Sequence, residues 1–246
     1  FVDRVDSAAG LRAAIASIDA LDHRPDLVLA TGDLVNDGRP EQYDHLMSIL
    51  EGLSMPVVPI VGNHDDRTEL RTRFADLPAG GPEDSIDFVL DEYPLRIVAL
   101  DTTIPGHHDG ALSDEQLAWL DEQLGQAPGH ATVVVQHHPP VPSGIAWMDS
   151  ECGFDGSAEA DIVARHSQVQ AVAAGHVHRP FHQAWAGTIV SVCPSTASPL
   201  HLEFDAVPPM YTNEPTGFML HRFDGEALVS HVVPSGDWDR WVPSWV

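Results

Sequence analysis

Four short apolar runs, at 27–31, 57–61, 132–136 and 170–174, each stop at a small cluster of polar residues that includes carboxylate, amide or imidazole groups. Runs this short and rich in valine, isoleucine and leucine read as buried strands. Between the first two, Pro40 opens a stretch whose Tyr43, Leu46, Met47 and Leu50 share one helical face. An earlier amphipathic helix is predicted over 7–22, with Ser7 as its cap and Leu11, Ile15, Ile18 and Leu21 on its apolar face. Further strands are predicted at 86–91, 96–101 and 188–192, and helices near 113–125 and 158–166. The β-α-β alternation predicts an α/β fold, a four-layer αββα sandwich of two mixed sheets flanked by helices, formed as one domain over 1–246.

Two regions stand apart from that alternation. Residues 139–157, PPVPSGIAWMDSECGFDGS, combine proline, glycine and serine with Trp147 and Met148, which reads as a functional loop close to substrate. Trp147 and Met148 either stack on a nucleobase or cap the core. At the end of the chain, 217–222 and 227–233 flank Asp224-Gly225, a hairpin signal. The hairpin and tail span 215–246, and Trp238, Trp241 and Trp245 are expected to pack on the domain or on a second copy, making a homo-oligomer. Cys152 and Cys193 can pair or stay free, and neither lies in a Cys-x-x-Cys motif.

Charge narrows the partners. Against 37 acidic residues stand 12 basic ones, all arginine, for a formal charge of −25. Such a surface repels polyanions, so neither a nucleic acid polymer nor an anionic membrane is expected as a partner. A small phosphate ester remains compatible, because bound cations can reverse the local sign. No long uncharged apolar run is present, and a cytoplasmic location is expected.

The polar clusters are Gly32-Asp33, Gly62-Asn63-His64-Asp65, His137-His138-Pro139 and Gly175-His176-Val177-His178. Singly, each is ordinary: Gly-Asp after a strand is turn chemistry, and a histidine is more often a surface or satisfied core residue than a ligand. Four such clusters at four strand exits are another matter, because ligand-binding loops gather at strand ends in α/β sheets and this donor set suits divalent transition metals. Neither a Gly-x-Ser-x-Gly elbow nor a P-loop competes with them.

The ordered strings GDLVNDG, GNHDD, HHPP and GHVH resemble the calcineurin-like metallophosphoesterase family. The longer strings TGDLVNDGRPEQY, VGNHDD, HHPPVPSG and MDSECGFDG are similar to its class III cyclic-nucleotide phosphodiesterases and bacterial glycerophosphodiesterases. The resemblance implies two divalent ions, manganese, iron, zinc or cobalt, bridged by Asp33. Asn63, His137 and His176 would complete one ion's ligands, and His178 would turn to the other. His64 would stabilise the scissile phosphate or protonate the leaving alkoxide, while a metal-activated water attacks phosphorus in line. The implied substrate is a small phosphodiester, with a phosphomonoesterase or a non-catalytic nucleotide- or metal-binding protein as alternatives.

The family's Asp-x-His motif is not found, since Asp22-His23 has the wrong spacing. The resemblance implies that it lies on a strand ahead of Phe1, a true truncation being the alternative. Relatives carry a substrate-contacting histidine soon after the last motif; here Ser195, Thr196 and Ser198 fill that stretch, and His201 is the candidate. Asn36 either contacts substrate phosphate or serves the Asn-Asp-Gly turn, and His107 and His108 either decorate an exposed loop or line the cleft.

Overall fold

A computed structural model describes residues 4–205 and 208–245. Its largest sheet is built on strands whose two faces are both covered. They are β4 (Arg96–Leu100), β5 (Thr132–Gln136), β6 (Val169–Ala174) and β8 (Thr188–Val192), which run parallel in that order. The edges are closed by antiparallel β3 (Phe88–Leu90) and β7 (Phe181–Trp185). Side-chain alternation sends Val133, Val135, Ala171 and Ala173 to one face and Val134, Val172 and Ala174 to the other, so both faces of β5 and β6 are core.

The outer face packs on α4 (Asp114–Gln126), through Leu120 and Leu124, and on α6 (Ser157–Val163), through Ile162 and Val163. On the inner face lies a second β layer in two pieces. Parallel strands β1 (Val28–Thr31) and β2 (Val57–Ile60) form one; the antiparallel hairpin β9 (Gly217–Phe223) and β10 (Leu228–Pro234) forms the other. β1 shows why this is a sandwich. Leu29 faces the inner core with β5 and β6, whereas Val28 faces outward with Ala14 and Ile18 of α1 (Ser7–Asp19) and with Phe218 of β9. Helix α2 (Pro40–Leu50) covers the same layer with Tyr43 and Leu46. Helices thus flank β layers on both sides, as expected, but the inner layer is not one continuous sheet. A cavity of about 360 Å³ separates β1 from β9, lined by Leu27, Leu29, Thr31, Ala173, Ser191 and Phe218. All four residues of β1 are in consequence only half-buried.

Several local expectations shift. Asp6, not Ser7, caps α1 by accepting from the Ala9 N–H, and the helix ends at Asp19 rather than at 22. The stretch 139–157 is not all loop: α5 (Ala146–Glu151) runs through it, with Met148 buried and Trp147 half-buried against the outer core. A short helix α3 (Arg67–Arg73) follows β2, begun by Asp66, whose carboxylate accepts from the Thr68 and Glu69 N–H groups. The hairpin at 217–234 forms around Asp224-Gly225, and Gly236 N donates to Ser17 Oγ of α1, but the tryptophans beyond it are not packed on the domain as expected. Trp238, Trp241 and Trp245 are 55%, 80% and 84% exposed. Both cysteines are free. No helix among the described residues is long and apolar enough to cross a membrane.

Candidate metal centre

The four clusters follow β1, β2, β5 and β6, so all sit at the carboxyl ends of parallel strands. The backbone there is contorted. Asp33, His176 and His178 adopt φ of 54°, 67° and 57°, a left-handed conformation that costs a non-glycine residue of order 1–3 kcal/mol and concentrates at functional sites. Glycine removes obstacles beside them. A Cβ on Gly32 would overlap the His137 ring, and one on Gly62 would overlap the backbone and carboxylate of Asp33.

Each histidine is oriented by a backbone carbonyl, which can only accept, so the proton must lie on the nitrogen that faces it. His137 donates from Nδ1 to Thr31 O at 2.8 Å, leaving Nε2 as a lone pair. His176 donates from Nε2 to Cys152 O at 2.9 Å, leaving Nδ1. His178 donates from Nδ1 to Ser198 O, and His64 from Nδ1 to Asn36 O, each at 2.9 Å. The Asn63 amide donates from Nδ2 to His108 Nδ1 at 2.9 Å, which turns its Oδ1 inward.

The result is a convergence of acceptors. Around His137 Nε2 stand Asn63 Oδ1 at 3.0 Å, His176 Nδ1 at 3.1 Å and Asp33 Oδ1 at 3.3 Å. With the protons placed as above, lone pairs face lone pairs, a conflict that a positive charge at this point relieves, either a proton on His137 Nε2 or a metal ion. Ligand atoms about 2.1 Å from one ion stand roughly 3.0–3.4 Å apart, so the spacing fits a single metal. Burial opposes ionisation of Asp33, but His137, His64 and His176 outweigh it and hold the carboxyl below the usual carboxylate range. Burial likewise works against a charge on His137, yet Asp33 and Asp65 raise it, and a field that draws a proton draws a metal ion equally. Burial, with His137 beside it, pushes His176 down to about 3, so it stays neutral and ready to ligate. Burial lowers His178 too.

His138 lies among the same rings, and its ring nitrogens are close enough to His137 and His176 to suggest a three-histidine site. Both its nitrogens are committed, however: Nε2 donates to His108 O at 3.1 Å and Nδ1 accepts from the Thr102 hydroxyl at 2.8 Å. Burial and its histidine neighbours depress it to about 2. His138 therefore holds the 102–108 loop against β5 and is not a ligand.

Asp65 ties the two β1–β2 loops together. Its carboxylate accepts from Leu34 N, Val35 N, Gly62 N and Tyr43 Oη, at 2.9 to 3.3 Å. Burial raises it to about 6.

The substrate candidates divide. Asn36 is exposed, its side chain donates to Asp37 Oδ1 at 2.8 Å within the turn, and its carbonyl accepts from His64 Nδ1. His201 is exposed, and its backbone N–H donates to Met210 O. The aromatic ring beside His178 is instead Tyr211, centroid to centroid 5.8 Å. His107 stays on the exposed loop near Asp109, whereas His108 reaches the site, 5.5 Å from the His64 ring and bonded to Asn63. Tyr211 carries no sequence signal; the adjacent pair His107-His108 was the only hint of the other.

Residues 4–180 match the calcineurin-like phosphoesterase family. The chain belongs to that family. It is 34% identical over 233 residues to a probable glycerophosphodiester phosphodiesterase of Arcobacter nitrofigilis, covering 93% of this chain and 85% of the relative. It is 35% identical over 240 residues to a probable cyclic nucleotide phosphodiesterase of Rhodococcus erythropolis, covering 95% and 78%. A dimetal phosphatase from Danio rerio shares the fold, with a TM-score of 0.65 at 19% identity over 83% of this chain and 88% of that one.

Proposed function

We propose that this calcineurin-like phosphoesterase hydrolyses a small phosphodiester, a 3′,5′-cyclic nucleotide or a glycerophosphodiester, using two divalent metal ions. The convergence of Asp33, Asn63, His137 and His176 lone pairs on one point carries the reading. These four residues would hold one ion, and Asp33 with His178 would contribute to the other. Mixed nitrogen and oxygen donors suit manganese, iron, zinc or cobalt. When bound, such ions supply Lewis acidity toward the phosphoryl oxygens and acidify water near neutral pH.

The chain's own residues do the rest. With Nδ1–H committed to Asn36 O, His64 has Nε2 as the atom that would carry a proton to the leaving alkoxide. His108 accepts at Nδ1, so its Nε2–H points a donor toward phosphate beside His64. Tyr211 lies over His178, where the ester's organic group would rest. Asp33 and His178 alone make a thin ligand set, and the open edge of β1 beside them is where a further strand carrying ligands would pair. The exposed tryptophans of the tail would serve a homo-oligomer contact; an unchanged elution volume after deletion of 236–246 would count against that role.

The deciding experiment compares hydrolysis of bis-p-nitrophenyl phosphate with that of the monoester, alongside metal content by mass spectrometry. Diester turnover that follows metal content supports the reading. Preferential monoester turnover would make the chain a phosphomonoesterase, and metal without turnover a binding protein.

A further inference from the structure

Behind the ligand turn lies a buried pair with an unfinished hydrogen-bond account. Gln136, the last residue of β5 and the one before His137, is fully buried, and Glu159 on α6 is 1% exposed. The Gln136 amide donates both its hydrogens from Nε2, one to His138 O at 2.8 Å and one to Glu159 Oε2 at 3.3 Å. What remains are two acceptors, Gln136 Oε1 and Glu159 Oε1, both buried and without a donor. An ionised carboxylate leaves both orphaned, and it places a full negative charge in the core with one weak partner. A protonated carboxyl removes the conflict. Its Oε1–H would supply the donor that Gln136 Oε1 lacks while its Oε2 accepts from Gln136 Nε2, the reciprocal pair that an acid forms with an amide.

We propose that Glu159 is a positioning residue that works as a neutral carboxylic acid: one proton completes the pair with Gln136 and so fixes the Gln136 amide on the His138 carbonyl, holding the His137-His138 turn in its ligating shape. The proposal rests on the metal-site reading of His137 and deepens it. No charged side chain acts on Glu159 from the surrounding elements among the described residues; burial raises its carboxyl from 4.5 to about 8, opposed only by the Gln136 hydrogen bond. The folded state therefore keeps a proton that the unfolded chain gives up above about 4.5, so this group makes stability fall as pH rises from about 4.5 to about 8, with no further change above.

The test uses the full chain with Glu159→Gln and Glu159→Leu, reading manganese affinity by chelator competition and, on the metal-free protein, Tm from pH 5 to pH 9. A glutamine reproduces the reciprocal pair without a titratable proton. Glu159→Gln is expected to keep manganese affinity within about twofold and to show a Tm that falls less, or rises more, between pH 5 and pH 8 than that of the parent. Glu159→Leu is expected to weaken manganese by about tenfold, the lower end for residues that orient ligands. Should the leucine variant fail to fold, the glutamine variant decides alone. Manganese loss in Glu159→Gln, or parallel Tm profiles in the two proteins, would overturn the proposal. Both readouts stand apart from ester turnover, so failure of the phosphodiesterase reading does not mask them.

Discussion

The two sides of Asp33 are built differently. Toward β5 and β6, three further ligand atoms stand within 3.3 Å of His137 Nε2, and His137, His176 and Asn63 are each held from behind by a carbonyl or by His108. On the other side the chain offers His178, held by Ser198 O, and β1 borders a cavity along the edge that, among the described residues, has no strand paired to it. Lone pairs packed together create a demand for a cation whether or not one is present, whereas isolated donors can be satisfied by water. The first side is thus preorganised for metal and the second is only disposed to it.

That contrast is broken most directly by removing one ligand from each side. His137→Ala should lower metal affinity and diester turnover by more than about a hundredfold, beyond the range for residues that merely orient ligands. His178→Ala should cost the convergent side less, keeping close to one ion per chain. Mass spectrometry of metal content reads both, and equal losses would show the two sides to be one cooperative unit. Next in size is His64→Ala, which removes a ring bonded to Asn36 O and to none of the donor atoms, while the backbone N–H that serves Asp33 Oδ1 remains. It should lower kcat by about 10²–10⁴ at unchanged metal content, as expected for loss of a positioned proton donor. Accompanying metal loss would instead make His64 part of the metal site.

How much of this was legible from residues alone follows from the same physics. β5 is found at its full length, because TVVVQ is apolar on both faces and a buried parallel strand needs that run. β7, FHQAW, is not: it is an edge strand whose middle faces solvent, so its pattern resembles a loop. α3 escapes because RTELRTR buries only Leu70, and α5 because glycine and proline surround it. The motif residues at 33, 63, 64, 137, 176 and 178 stand out because strand ends gather them. The residues that orient them do not, since Thr31, Cys152, Ser198 and Asn36 act through backbone carbonyls that any side chain could accompany.

Asp65, which touches the loops that carry the ligands, sharpens the contrast. Its carboxylate gathers three backbone N–H groups and the Tyr43 hydroxyl, so it fixes both the turn after Asp33 and the one that bears Asn63. In Asp65→Asn, one of the two acceptor atoms becomes a donor that faces N–H groups. Metal affinity should fall by about 10–100-fold, measured by chelator competition, with the greater part of the loss on the convergent side. Tyr43→Phe probes the same support more gently. The hydroxyl accepts from Asp66 N at 2.9 Å in a fully buried position, and leaving that donor unpaired should cost about 1–3 kcal/mol of stability by denaturant titration.

The smallest effect is expected at His108, and its direction is informative. His108 Nδ1 receives the Asn63 amide, so the ring selects which end of that amide faces the metal. Without it, Asn63 is free to rotate and present Nδ2 hydrogens to the lone pairs of His137 and Asp33, an orientation that competes with a cation. A two-state amide that loses one hydrogen bond of about 1 kcal/mol shifts its preference by about fivefold. His108→Ala should therefore weaken metal binding by less than about tenfold. It should also raise KM for the diester, because the exposed ring is one of the donors beside His64. His108→Gln separates the two roles: a glutamine carbonyl can still accept from Asn63 but reaches less far toward substrate. Restored metal affinity with KM still high would place His108 on both the ligand and the substrate side, whereas recovery of neither would reduce it to a loop residue.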